Sequence, residues 1–160
     1  MAVMPLAAEL SALFRRDLIR LTQELEAFPE ELLWETRPGI GNSAGNLVLH
    51  LEGNLRHFIG YVLGGVAYTR QRELEFSSKG IARDALLGQI RPLTDLIANA
   101  VAALSDEAMD ATYPSTVLGG SATTRQFVLS LYGHLSYHTG QIDYLRRLLS
   151  GNGAIDLAGL

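Results

Sequence analysis

The residues of this chain best suited to chemistry are its histidines, of which it has four: His50, His57, His134 and His138. His134 and His138 are four apart, so on a helix they lie one above the other on the same face. Leu131, Leu135, Ile142 and Leu145 continue that face as an apolar stripe. His50 stands between Leu47 and Leu51, on the buried side of a second apolar series. Two imidazoles at this spacing reach one cation with bonds of about 2.0–2.1 Å, and His50 joins them if the two helices meet. Three nitrogen ligands leave a coordination position open, as catalytic sites do, whereas structural zinc sites are usually closed by four protein ligands. Such an ion lowers the pKa of its water towards about 7, or polarises a bound oxygen or sulfur. The alternative is three neutral core histidines, each hydrogen-bonded to an acceptor.

The neighbours of these histidines are amides. Asn46 and Asn54 flank His50 at i−4 and i+4, and Gln141 follows His138 at i+3. They suit holding a ligand or orienting an imidazole, and equally an ordinary interhelical hydrogen bond. His57 follows His50 by seven residues, about 10 Å further along a helix axis, too far to share its ion. It suits the rim of the site, facing substrate or supporting a ligand from behind, and equally an ordinary exposed histidine. No carboxylate falls on the inner stripe, so any base must come from the metal-bound species itself.

Four helical patterns must position these groups. Leu6, Leu10, Leu13, Phe14, Leu18, Leu21, Leu25 and Phe28 recur at steps of three and four, and Pro29 ends the series. Asn42-Ser43 caps a second helix through Leu47, Leu51, Leu55, Phe58 and Val62, closed by Gly64-Gly65. Leu86 to Leu104 forms a third, with Pro92 expected to kink it or mark its start. A fourth runs from about Thr123 to Ser150 and would be roughly 40 Å long. Tyr113 to Thr124, with Gly119-Gly120, suits a small hairpin. Arg15-Arg16 and Arg146-Arg147 read as solvated helix faces or end-of-helix charge. The pattern predicts an all-α bundle in one domain spanning residues 1–160. The long link from Gly65 to Gly80 permits a crossover between parallel helices.

Composition narrows the classes further. With 13 basic and 17 acidic residues the formal net charge is −4, and no basic stripe offers a nucleic-acid surface. The absence of cysteine excludes disulfides, thiolate zinc sites and cysteine nucleophiles. A mean hydropathy of +0.13 is high for a monomer and favours self-association. The N-terminal stretch carries Glu9 within its apolar run and does not read as a signal peptide. The longest stretch without charge, Gln126 to Ile142, contains two histidines and is a poor membrane span, so a cytoplasmic protein is expected. No Walker loop, nucleophile elbow or di-iron carboxylate set occurs.

The segment His134-Leu-Ser-Tyr-His138-Thr-Gly140-Gln141-Ile142 resembles the H-x-x-x-H-x-G-Q-I signature of the DinB/YfiT-like metalloenzyme family. Trp34-Glu-Thr-Arg37-Pro38 with Asn42-Ser43 is similar to that family's lead into its second helix and its first metal histidine, here His50. Gly53-Asn54-Leu55-Arg56-His57-Phe58, with Arg70-x-Arg72 and Glu75-Phe76, looks like one poorly characterised branch. The resemblance covers about Leu6 to Leu149. It implies a four-helix bundle of up-down-down-up course with a long crossover between helices two and three. It also implies a divalent metal, zinc or nickel, on His50, His134 and His138, often in a homodimer. Characterised relatives are metal-dependent transferases and isomerases that use low-molecular-weight thiols. The expectation is therefore a metal-dependent enzyme in which the ion activates a small thiol or water. The rival readings are a non-catalytic metal-binding helical module and a small-molecule sensor.

Overall fold

The computed structural model describes residues 5–117 and 119–155. Within them, helix dominates and no strand forms. Helix α1 spans Leu6–Ala27 and ends where Phe28 turns extended ahead of Pro29. Helix α2, Ala44–Leu55, starts at Ser43, whose hydroxyl accepts the Asn46 amide hydrogen. Trp34 lies over Gly45, where even a Cβ would sit 2.8 Å from the indole ring. A π-helical turn, Arg56–Tyr61, continues α2 before Gly65 takes φ +70° and ends it. Short α3 (Arg72–Ser77) sits inside the long link, followed by α4 (Arg83–Ala102), α5 (Asp106–Asp110) and α6 (Thr124–Ser150). Thr123 caps α6 at its start and Gly151, at φ +74°, closes it.

Four long elements (α1, α2 with its π turn, α4 and α6) bury their apolar faces against one another. Phe14, Leu21, Leu51, Ile59, Ile90, Ile97, Leu135 and Ile142 are wholly excluded from solvent. Each such side chain contributes roughly 1.5–3 kcal/mol, so the stripes read from the sequence supply the drive that assembles the helices. Ser11 donates to the carbonyl of Ala98, while Arg91 pairs with Glu26, so the start of α1 meets the end of α4 and the reverse. Along α6, the order is the same as along α1: Arg16 bonds the Tyr132 hydroxyl, Ser136 bonds Asp17, and Arg146 bonds Glu24.

Two expectations need correction. Pro92 does not mark the start of its helix, because α4 begins nine residues earlier and continues for ten after it. Pro92 and Gly88 both lie on the exposed face, so the carbonyl that loses its amide partner is on the solvent side of the helix. Arg146 is not solvated: it is 1% exposed and its Nε donates to Glu24 Oε2 at 2.6 Å. Burial pushes the Glu24 carboxyl above its usual range despite that bond. The stretch from Tyr113 to Thr124 folds back on itself through antiparallel bridges, Thr112 to Thr123 and Val117 to Gly120, without forming a strand among the described residues. Leu118 within it lies outside the described residues, as do Met1 to Met4 and 156–160. No described helix is long and apolar enough to cross a membrane.

Candidate metal centre

Helices α2 and α6 meet through their histidines. His50 Nε2 lies 3.1 Å from His134 Nε2. The ring of His138 stands 5.4 Å from that of His50 and 4.5 Å from that of His134, centre to centre. One ligand nitrogen from each lies within 4.8 Å of the other two, and no other such group of three or more His, Asp and Glu forms among the described residues. Two nitrogens on one tetrahedral ion, with bonds of about 2.0 Å, sit roughly 3.3 Å apart. The His50–His134 separation therefore matches ligation of a common ion.

The remaining ring nitrogens define which lone pairs face inward. His50 Nδ1 lies 2.9 Å from Glu75 Oε2, and His138 Nδ1 lies 2.6 Å from Gln141 Oε1. Both partners accept, so both Nδ1 atoms carry their hydrogens and both Nε2 atoms present lone pairs. Three converging imidazoles share at most one proton pairwise, which leaves lone pairs unsatisfied; a divalent cation satisfies all three. Burial holds His134 down to about 4, helped by the neighbouring His138, His50 and Arg70. Burial also lowers His50, against the opposing pull of Glu75. At neutral pH both are uncharged, the form that ligates. The donor set fits a divalent ion.

Glu75 was not visible as part of this centre in the sequence, where no carboxylate fell on a stripe. It arrives from α3, outside the four long helices, and is 5% exposed. Burial alone would raise its carboxyl, but the bonds from Arg70 and His50 outweigh that and hold it below its usual range. Arg70 grips both oxygens, Nε to Oε1 at 2.6 Å and Nη2 to Oε2 at 2.9 Å. Gly53 makes the approach possible, since a Cβ there would lie 2.3 Å from Oε1. The signals in the sequence were the branch resemblance carried by Gly53, Arg70-x-Arg72 and Glu75-Phe76, none of which assigned Glu75 a place at the histidines.

The other expected residues divide. Asn46 does not touch an imidazole. Its Nδ2 donates to the carbonyls of Glu75 and Ser78, both at 3.0 Å, and so fastens α3 beneath His50. Gln141 orients His138 as above. Asn54 is 8% exposed, and its Oδ1 has no hydrogen-bond partner among the described residues. His57 lies in the π turn against Phe58 and Tyr61, apart from the trio, and burial lowers it. Two clefts border the centre. One of about 510 Å³ reaches His138 and Gln141 and is walled by Ile40, Leu47, Tyr137, Tyr144 and Leu148. The other, about 290 Å³, reaches His134 and Asn54 between Phe58, Phe127 and Leu131.

The family model for mycothiol-S-transferase matches residues 9–151, nearly the whole described chain. The chain belongs to this family. A crystal structure of a DinB-like protein from Bacillus cereus ATCC 10987 superposes on this mycothiol-S-transferase family member with a TM-score of 0.67. That match covers 88% of this chain and 89% of the other at 15% identity, a likeness of fold. No curated protein sequence matches the chain. The DinB-like resemblance read from the histidine motif thus agrees with both the family and the fold.

Proposed function

We propose that this protein is a metal-dependent S-transferase that joins a low-molecular-weight thiol, mycothiol by its family's name, to an electrophile. The single observation that carries the reading is the convergence of three imidazoles beside two clefts, with no fourth protein ligand in the group. His50, His134 and His138 hold the ion, zinc or nickel. When bound, the ion supplies a Lewis-acidic centre that favours the thiolate form of the thiol. Glu75 fixes the tautomer and direction of His50, and Gln141 does the same for His138. Arg70 keeps Glu75 ionised, so its acceptor role persists across neutral pH. Apolar walls exclude water from the reacting sulfur, which disfavours hydrolysis of the electrophile.

The four long helices form an up-down-down-up bundle, with the stretch holding α3 as the crossover, in one domain. The shared order of contacts along α1 and α6, opposed to that along α1 and α4, supports this course. The protein acts as a homodimer in the cytoplasm, where low-molecular-weight thiols are kept reduced; the mean hydropathy of +0.13 supports the pairing.

The test is metal content by mass spectrometry after purification without a nickel column, followed by thiol conjugation with mycothiol. About one ion per chain, lost in His134→Ala, and conjugation abolished by a chelator are expected. Unchanged occupancy in the variant ends the metal assignment. A metal-loaded protein that leaves thiol–electrophile mixtures unreacted is a binding module instead.

A further inference from the structure

The solvent face of α6 differs from those of α1 and α4. Those helices expose charges, Glu9 and Glu26 on α1 and Asp84, Arg91 and Asp95 on α4. On α6, every exposed residue from Gln126 to Leu148 is uncharged, over about 33 Å of helix. Leu129, Tyr137, Tyr144 and Leu148 make up most of that face, and Tyr144 is 70% exposed. Gly133 and Gly140 lie between them. In a helix interior each glycine costs about 1 kcal/mol relative to alanine. Packing within the chain requires neither, because a Cβ at either position meets no atom within 4 Å. Exposed glycines on an apolar helix face suit the close approach of a second backbone.

The spacing fits another copy of α6. When two copies run antiparallel with Gly133 of each opposite the partner's Gly140, Leu129 meets the partner's Tyr144 and Gln126 meets the partner's Arg147. Small residues then face small ones, apolar residues face apolar ones, and an amide faces a cation. Arg147 also comes to the acidic start of the other copy, where α5 exposes Asp106, Glu107 and Asp110. The area is sufficient as well. At these exposures the two tyrosines, of about 150–250 Å² each, and the two leucines offer about 400–500 Å² per copy. A specific interface needs roughly 1,000 Å² from both partners together.

Resting on the homodimer reading above and deepening it, we propose that two copies of this chain pair antiparallel through the exposed face of α6, and that each completes the other's site. Ser130 lines the His134-side cleft and is exposed at its mouth. The register sets the partner's Tyr144 beside Ser130, so an aromatic ring from the second copy walls that cleft. Tyr137, Tyr144 and Leu148 line the His138-side cleft from the same helix face. The pairing therefore closes the outer edge of that cleft too. A single chain holds the three histidines but leaves both clefts open along α6.

The test uses the metal-loaded full chain. In sedimentation velocity, wild type runs as a dimer at micromolar concentration and Gly133→Arg runs as a monomer. The new side chain has open space within its own chain, so the variant keeps its far-ultraviolet circular dichroism and the metal content of wild type. The register is read with cysteines, which the chain lacks. Ser130→Cys combined with Tyr144→Cys is joined across the dimer by a short bismaleimide. Either substitution alone is not joined, because like positions lie about 20 Å apart along the paired helices. The same spacing keeps the two cysteines of one chain from reacting with each other. A dimer that persists in Gly133→Arg, or a double variant that does not cross-link, overturns the proposed face and leaves the homodimer reading intact. A monomeric wild type overturns both, while metal content and thiol conjugation judge the transferase reading separately.

Discussion

Glu75 accepts the Nδ1–H of His50 at 2.9 Å from 25 residues further along the chain, and this bond ties the link between α2 and α4 to the candidate metal centre. An anionic acceptor makes the opposite nitrogen a better donor to a cation, and it fixes the ring's direction. Glu75→Gln keeps the shape and removes the charge. Metal affinity is expected to fall by about 10–100-fold, measured by competition with a chelating dye, while the far-ultraviolet circular dichroism is unchanged. An affinity within twofold of wild type would remove Glu75 from the centre.

Gly53 offers an independent probe of the same bond. Alanine favours helix over glycine by about 1 kcal/mol, so Gly53→Ala should stabilise α2 if nothing stood in its way. The added Cβ would instead meet the Glu75 carboxylate at 2.3 Å, and that carboxylate is clamped by Arg70. The expected result is a metal affinity at least tenfold weaker and a melting temperature no higher than wild type. A stabilised variant with full affinity would show that Glu75 moves aside freely.

His57 separates a histidine near the centre from one within it. Its ring packs on Phe58 and Tyr61 and makes no contact with the trio. His57→Ala is expected to bind one metal ion per chain with affinity within twofold of wild type. His138→Ala loses at least 100-fold. Mass spectrometry and dye competition on the same preparations distinguish them, and a metal-free His57→Ala protein would redraw the ligand set.

Asp17 governs how α6 is seated. It is 3% exposed, accepts from Arg16 and Arg20 through Oδ1, and takes the Ser136 hydroxyl at Oδ2 at 2.6 Å. Burial pushes its carboxyl up, but the bonds from Arg16, Ser136 and Tyr132 outweigh that and hold it below the usual value. A native pKa below the unfolded one gives stability that is full above the ordinary carboxylate range, near pH 4. That contribution is lost as pH falls through the depressed native value. Asp17→Asn leaves two guanidinium groups short of an anion and should cost about 2–4 kcal/mol at pH 7. The deficit relative to wild type shrinks as pH is lowered towards 3, read by thermal melts across pH. A deficit that stays constant with pH would mean the charge contributes nothing.

The long apolar stripes made the four main helices legible, because a helical period sustained over 22 or 27 residues leaves little ambiguity. The pair His134 and His138 was legible for the same reason: helix spacing places them on one face without further information. Convergence with His50 required the tertiary fold, and the shared motif supplied it. Glu75 was not legible, since α3 has six residues and too few turns to show a period. Arg146 misled because charge near a helix end reads as solvated, and only packing reveals Glu24 opposite it. Pro92 did not mark a helix start, because a proline on an exposed face leaves its orphaned carbonyl on the solvent side, where the helix can run past it.

Because the partner of His50 is carried by the connection and not by a bundle helix, the centre has an adjustable part separable from its frame. Residues 66–82 can change in length or composition while the stripes that assemble the helices stay intact. Chains sharing this scaffold and the same three histidines but with different connections would then differ in how strongly a bound ion is held, giving one scaffold a graded series of affinities.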